Sequence, residues 1–173
     1  MASRRLSQNL EKLLNPEEKG SDVVRAVVLK IESAFPTPSF APGSSFLRLI
    51  AYVETKDGTV ASDGGIWNVN KKAFEGTKDT KTNTDIKEKH DEIKKRFGVD
   101  WSQVQWSEMK KPLYSGLAAR LVLYNIPDAI PVELDGQAKY WKTRYSSATG
   151  AEQKFVDDVL ALVSGDLLEK FAD

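Results

Sequence analysis

Glu54 is the residue of this chain best placed to keep a proton that water would otherwise take. Phe46, Leu49, Ile50 and Val53 fall at i, i+3, i+4 and i+7, and Glu54 stands one turn beyond Ile50 at the edge of that apolar stripe. A carboxyl in such a place loses hydration, and burial penalises its charged form, so its pKa rises. That is the property a general acid needs to protonate the bridging oxygen of a glycosidic bond. The same chemistry asks for a second carboxylate or polar group that positions water or offsets positive charge on the sugar. In an inverting enzyme the two groups lie roughly 6.5–9.5 Å apart. Asp57 and Asp63 are near enough in sequence, and Asp63 is the better candidate because it enters a glycine-rich segment expected to face the helix end. Plainer readings compete: a glutamate at a helix end is more often simply solvated, and Asp57 before Gly58 is a natural turn residue.

Little else in the chain is equipped for chemistry. There is no cysteine and a single histidine, His90. A disulfide, a thiolate metal site, a multi-histidine centre and a Ser-His-Asp triad are therefore not expected, and neither a metal nor a cofactor is called for. His90 lies in a charged helical stretch and reads as exposed. The pairs Lys71-Lys72 and Lys110-Lys111 and the run Lys94-Lys95-Arg96 read as solvated faces. Gly64-Gly65 is too short for a phosphate-binding loop.

The elements that must position these residues follow from hydrophobic spacing. Leu6, Leu10, Leu13 and Leu14 mark a first helix, stopped at Asn15-Pro16. Val23, Val24, Val27, Val28 and Ile31 mark a second, with Ser21 or Asp22 as its N-cap. The proline-rich stretch 35–43 reads as a loop, and Ser44-Ser45 opens the helix that carries Glu54. Thr59-Val60 and the run Gly64 to Val69 read as a short hairpin or extended loop beside the helix end. Residues 77–92 begin as a solvated loop, and a helix resumes near Thr84 and stops at Phe97-Gly98. Asp100 to Val104 suggests a short helical turn. Tyr114 to Tyr124 is the most apolar helix and is expected at the centre. Gly136 to Tyr145 suggests another helix, and Phe155 to Val163 a last one interrupted at Gly165. The expectation is a mainly α, α+β fold, a helical bundle around a central apolar helix with a small β-hairpin beside the cleft.

The composition is that of an ordinary globular chain. Its 173 residues suit one domain, with 1–43 as an N-terminal helical extension and 44–173 as the core that carries the chemistry. Equal numbers of acidic and basic side chains, 25 each, argue against nucleic acid as a partner. No apolar run is long enough to span a bilayer, so no membrane partner is expected. The start, Met1-Ala2-Ser3-Arg4-Arg5, is basic but lacks an apolar signal core. A monomer is expected.

Arg48 to Gly58, which contains Glu54-Thr55, followed by Asp63-Gly64-Gly65-Ile66-Trp67-Asn68-Val69, resembles the lysozyme-like superfamily. In goose-type lysozymes and soluble lytic transglycosylases a helix ends in the catalytic glutamate, usually followed by serine. A Gly-Leu-Met-Gln-like stretch then walls the sugar cleft. The later run Gln137 to Tyr145 resembles a segment of phage-related and invertebrate lysozyme-like proteins. Thr55 stands for the usual serine, Trp67-Asn68 for Met-Gln, and the gap from Glu54 to Gly65 is shorter than in the better-known families. The resemblance implies a glycosidase acting on an amino-sugar polysaccharide, with Glu54 as general acid and Asp63 or Asp57 as its partner. It implies Gly65, Ile66, Trp67 and Asn68 along the cleft floor. Tyr140 or Tyr145 would bond sugar or the catalytic carboxyl, and Trp67 and Trp141 would stack on pyranose rings. Peptidoglycan is the leading substrate, which lies outside cells although no export signal is visible here. Chitin or chitosan hydrolysis, lytic transglycosylation, and a non-catalytic glycan- or protein-binding domain are the alternatives.

Overall fold

The computed structural model describes residues 10–146 and 151–171. Residues 10–14 are helical and break at Asn15-Pro16. Helix α1 (Ser21–Glu32) buries Val23, Val24, Val27, Val28 and Ile31, so the helical period outweighs the β-branching of its inner face. Strands β1 (Ser39–Ala41) and β2 (Ser44–Ser45) pair antiparallel. Helix α2 (Phe46–Thr55) follows at once, and the Ser45 side chain accepts from the Arg48 amide as its N-cap. Helix α3 (Lys71–Lys78) is capped by Asn70, and α4 (Asp85–Phe97) ends at Gly98 in the left-handed conformation. Short 3₁₀ turns at Trp101–Gln103 and Trp106–Lys110 lead into α5 (Pro112–Asn125), with proline in its first turn. Helix α6 (Leu134–Tyr140) runs on into a π-helical turn, Trp141–Tyr145, and α7 (Glu152–Phe171) closes the described chain.

The fold is mainly helical with one small sheet, and α5 is its centre. Nine of its residues are buried, on all sides, because α1, α2, α3 and α4 all pack on it. A Cβ on Gly116 would stand 2.7 Å from Val27 Cγ1, so glycine there lets α1 and α5 approach. Helix α1 thus belongs to the same core as the later helices and is not an appendage to them. On the other side of α2, Phe155 of α7 packs its ring against Phe46 and Trp141. Among the described residues no helix is long and apolar enough to cross a membrane.

Several local expectations are corrected. The hairpin is in the proline-rich stretch, not in 59–69: Pro42 with Gly43 at φ 75° turns Ala41 onto Ser44. It precedes α2 and so lies at the opposite end of that helix from Glu54. Residues 59–69 form successive turns, with bonds such as Gly65 N to Ser62 O and Asn68 N to Gly65 O. Gly20, rather than Ser21 or Asp22, holds the N-cap position of α1. Helix α3 was unforeseen, its start marked by Asn70, whose side chain accepts from Ala73 N at 2.8 Å. Gly165 does not break α7, since the loss from one helical glycine is only about 1 kcal/mol. His90 is half-buried, with Nε2 2.7 Å from the Thr77 carbonyl of α3. Leu6, assigned to the first helix, lies outside the described residues.

Candidate functional site

The chain reverses immediately after Glu54. Lys56 and Asp57 are both left-handed, at φ 51° and 60°, and Gly58 follows at 88°. Two side chains brace this reversal. Asp57 receives both terminal nitrogens of Arg48, at 2.6 and 3.0 Å, and the pair is almost wholly buried. The Thr55 hydroxyl donates to the Ile66 carbonyl at 2.5 Å and accepts from Gly58 N at 2.9 Å. The helix end is thereby tied to the glycine-rich loop that faces it.

That loop is held from behind by α5 and the π-helical turn. Ser115 accepts from Trp67 N at 3.1 Å and donates to the Gly64 carbonyl at 3.0 Å. Tyr145 donates its hydroxyl to the Trp67 carbonyl at 2.5 Å, and Trp106 donates its indole N–H to the Val69 carbonyl at 2.9 Å. Gly65, at φ 75°, lies so close to the 3₁₀ turn that a Cβ would fall 1.8 Å from the Met109 carbonyl oxygen. The result is a rigid loop that presents Asn68, itself left-handed at φ 49°, to the end of α2.

Glu54 is half-buried, and each of its oxygens accepts one hydrogen bond. Asn68 Nδ2 donates to Oε2 at 2.9 Å, and Trp141 Nε1 donates to Oε1 at 3.0 Å. Desolvation raises the Glu54 pKa above the ordinary carboxyl value; the two hydrogen bonds and the positive charge of Lys154 pull the other way without cancelling it. Lys154, on α7, donates to the Val53 carbonyl at 2.7 Å and to Asp158 at 2.8 Å, and lies over the Trp141 ring. The Tyr145 hydroxyl is pushed well above its usual range, first by burial and then by the nearby Glu54.

The structure distributes the expected site residues unevenly. Glu54, Asn68 and Trp141 come together. Asp57 does not serve Glu54, because its carboxylate is committed to Arg48. Asp63 is exposed, and the groups bonded to Glu54 are an amide and an indole rather than a second carboxylate. Trp67 is 0% exposed, with its indole N–H on the Leu47 carbonyl, and has no face for a sugar. Trp141 is 2% exposed and meets the site through its N–H edge, not by stacking. Tyr140 packs edge-on against Phe46, at the far end of α2, with its hydroxyl 3.5 Å from the Asp128 carbonyl. Tyr145 bonds the loop backbone instead of a carboxyl. Gly65 and Ile66 line a groove of about 240 Å³ with the 16–19 segment, Ser62 and Lys110, and Glu54 is not among its lining residues.

Sequence reasoning missed Arg48, Ser62, Ser115 and Lys154. Arg48 left a signal, since a lone cation inside an apolar helix requires a buried acid. Ser115 and Lys154 act across long sequence separations and left none, and Ser62 acts only six residues away but through a turn that no residue pattern announces. Among the described residues no group of three or more His, Cys, Asp or Glu side chains converges as a cation site would require. The fold is mainly α, and its chemical feature is the half-buried Glu54 carboxyl at the end of a core helix, held by an amide and an indole. Comparison with family models, characterised proteins and solved structures finds no match to this chain.

Proposed function

We propose that this chain cleaves the β-1,4 bonds of an amino-sugar polysaccharide, peptidoglycan first, with Glu54 as general acid. One observation carries the reading: Glu54 is a half-buried carboxyl with a raised pKa, held at both oxygens by donors that do not titrate. An acid of that kind keeps its proton at a pH where an exposed glutamate has lost it. Its orientation is also set before substrate arrives. Glu54 gives its proton to the bridging oxygen, the bond from that oxygen to the anomeric carbon breaks, and positive charge develops on the sugar.

The partner of Glu54 decides how the cation is resolved. Asp57 is bound to Arg48, and Glu54's own bonds go to an amide and an indole. This favours, as second reading, lytic transglycosylation, in which a hydroxyl of the sugar closes on the anomeric carbon and returns its proton to Glu54. No activated water is then needed.

The test is clearing of a peptidoglycan suspension by the native chain and by Glu54→Gln, followed by mass analysis of the products. Clearing by the native chain alone supports the reading, and clearing by both removes Glu54 from its role. Anhydro ends would identify the transglycosylase route and reducing ends the hydrolase. Activity on chitin or chitosan oligomers in place of peptidoglycan would change the substrate, and binding without cleavage would leave a glycan-binding domain.

A further inference from the structure

The amide of Asn68 has two ends, and only one of them suits an acid. If its oxygen faced Glu54, the protonated carboxyl would donate to it and the proton would be held inside the protein. If its nitrogen faces Glu54, the carboxyl accepts, and its proton must occupy a lone pair that the protein leaves free. Which end faces Glu54 is settled by what the other end touches.

Ser62 decides this. Its hydroxyl oxygen accepts from the Gly64 amide at 3.2 Å, and its proton goes to Asn68 Oδ1 at 2.6 Å, the acceptor this hydroxyl has among the described residues. With Oδ1 so engaged, Nδ2 is the end that meets Glu54 Oε2. The backbone reinforces the arrangement. Asn68 is left-handed, a conformation that Asn tolerates better than most residues, and the Trp67 carbonyl just before it is held by Tyr145. On the other oxygen of Glu54 the indole of Trp141 is a donor only.

We propose that Ser62 and Asn68 act as a positioning pair that locks the amide nitrogen onto Glu54 and so directs the acid's proton away from the protein, toward bound substrate. This rests on the reading of Glu54 as a general acid and adds to it two residues that act through that carboxyl. Ser62 is also a lining residue of the groove beside Gly65 and Ile66, so the lock sits between that groove and the acid. The other ionisable groups around the site are Lys154 and Asp158 from α7, Lys56 at the end of α2, and the buried Tyr145. Among the described residues none of them is hydrogen-bonded to the amide, whose partners are Ser62 and Glu54, so removal of the Ser62 hydroxyl leaves their contacts in place.

The experiment is an NMR titration of the full chain labelled with ¹³C at glutamate carboxyls and ¹⁵N at asparagine amides, with Glu54→Gln and Asn68→Gly to assign the signals. In the native chain the Asn68 side-chain NH₂ signals follow the Glu54 carboxyl through one shared midpoint. In Ser62→Ala the amide turns, the NH₂ signals stop reporting on Glu54, and the Glu54 midpoint moves up. Ser62→Thr, which keeps the hydroxyl, restores the native titration. If cleavage is observed, kcat in Ser62→Ala falls on the order of tenfold with KM little changed, because the acid is misdirected rather than the substrate lost. An unchanged NH₂ pattern and midpoint in folded Ser62→Ala overturns the lock. A lock seen by NMR in a chain that cleaves no glycan sinks the functional reading and leaves the positioning pair standing.

Discussion

Trp141 and Glu54, 87 positions apart in the chain, meet through a 3.0 Å hydrogen bond from the indole nitrogen to Oε1. The bond joins the end of α2 to the π-helical turn after α6, and Lys154 of α7 covers the same ring. Three elements therefore converge on one carboxyl.

Replacing Trp141 with Phe keeps a ring against Phe155 but removes the donor and part of a buried indole. The loss of stability is about 2–3 kcal/mol, one net hydrogen bond plus the void left by the smaller ring. A donor to the charged form disappears, so the Glu54 titration moves further up, and the alkaline limb of the cleavage profile moves with it. The maximal rate falls roughly tenfold as the carboxyl loses its orientation. A pH–rate profile superimposable on the native one would show that the indole does not set the acid.

Glu54→Gln lowers cleavage by about 10²–10⁴-fold, the usual contribution of a positioned acid. Its effect on stability has a sign that depends on pH. Burial raises the folded-state pKa of Glu54 above its unfolded value of about 4.3. The stability Glu54 contributes is therefore present below the unfolded value and is lost as pH rises through the folded one. Gln does not titrate. Thermal unfolding of the two proteins across this range is expected to show the variant gaining on the native chain as pH rises. A constant difference in Tm would contradict the raised pKa.

The buried Arg48–Asp57 pair makes Asp57 a structural residue. Asp57→Asn tolerates the left-handed backbone but leaves the guanidinium without its counter-charge, at a cost of about 3–5 kcal/mol. Denaturant unfolding measures that loss, and cleavage per folded molecule is expected to stay within about twofold. A variant that is stable yet inactive would instead return Asp57 to the catalytic machinery.

Two glycines with the same φ separate backbone strain from crowding. Gly43 and Gly65 both sit at φ 75°, but a Cβ at Gly43 meets nothing within 4 Å, whereas at Gly65 it meets the Met109 carbonyl. Gly43→Ala is expected to cost about 1–2 kcal/mol, the left-handed penalty alone. Gly65→Ala adds displacement of the 3₁₀ turn and is expected to exceed about 4 kcal/mol. Equal losses of Tm would mean that the loop yields easily and does not hold Asn68 rigidly.

The helical parts of the fold were legible because helical period is a local property. Val23 to Ile31 and Phe46 to Val53 carry their burial pattern in their spacing, the run from Tyr114 to Tyr124 carries it in its nearly continuous apolar character, and the stop at Gly98 is a single-residue signal. Helix α3 was hidden because its two buried residues, Phe74 and Thr77, are too few to set a period. The hairpin was hidden because its strands are three and two residues long, and their pairing depends on the Pro42-Gly43 turn.

The same division holds at the site. Sequence alone determined that Glu54 ends a core helix at the margin of its apolar face, since side-chain direction on a helix follows from spacing. It also supplied the residues that meet there, Asn68 and Trp141, but with other roles. Only tertiary structure decided that Trp67 faces the core, that Asp57 belongs to Arg48, and that Ser62 orients Asn68. A side chain's partner beyond its own helical turn is chosen by which backbone atoms and charges the packing brings within about 3 Å of it. No local pattern encodes that distance.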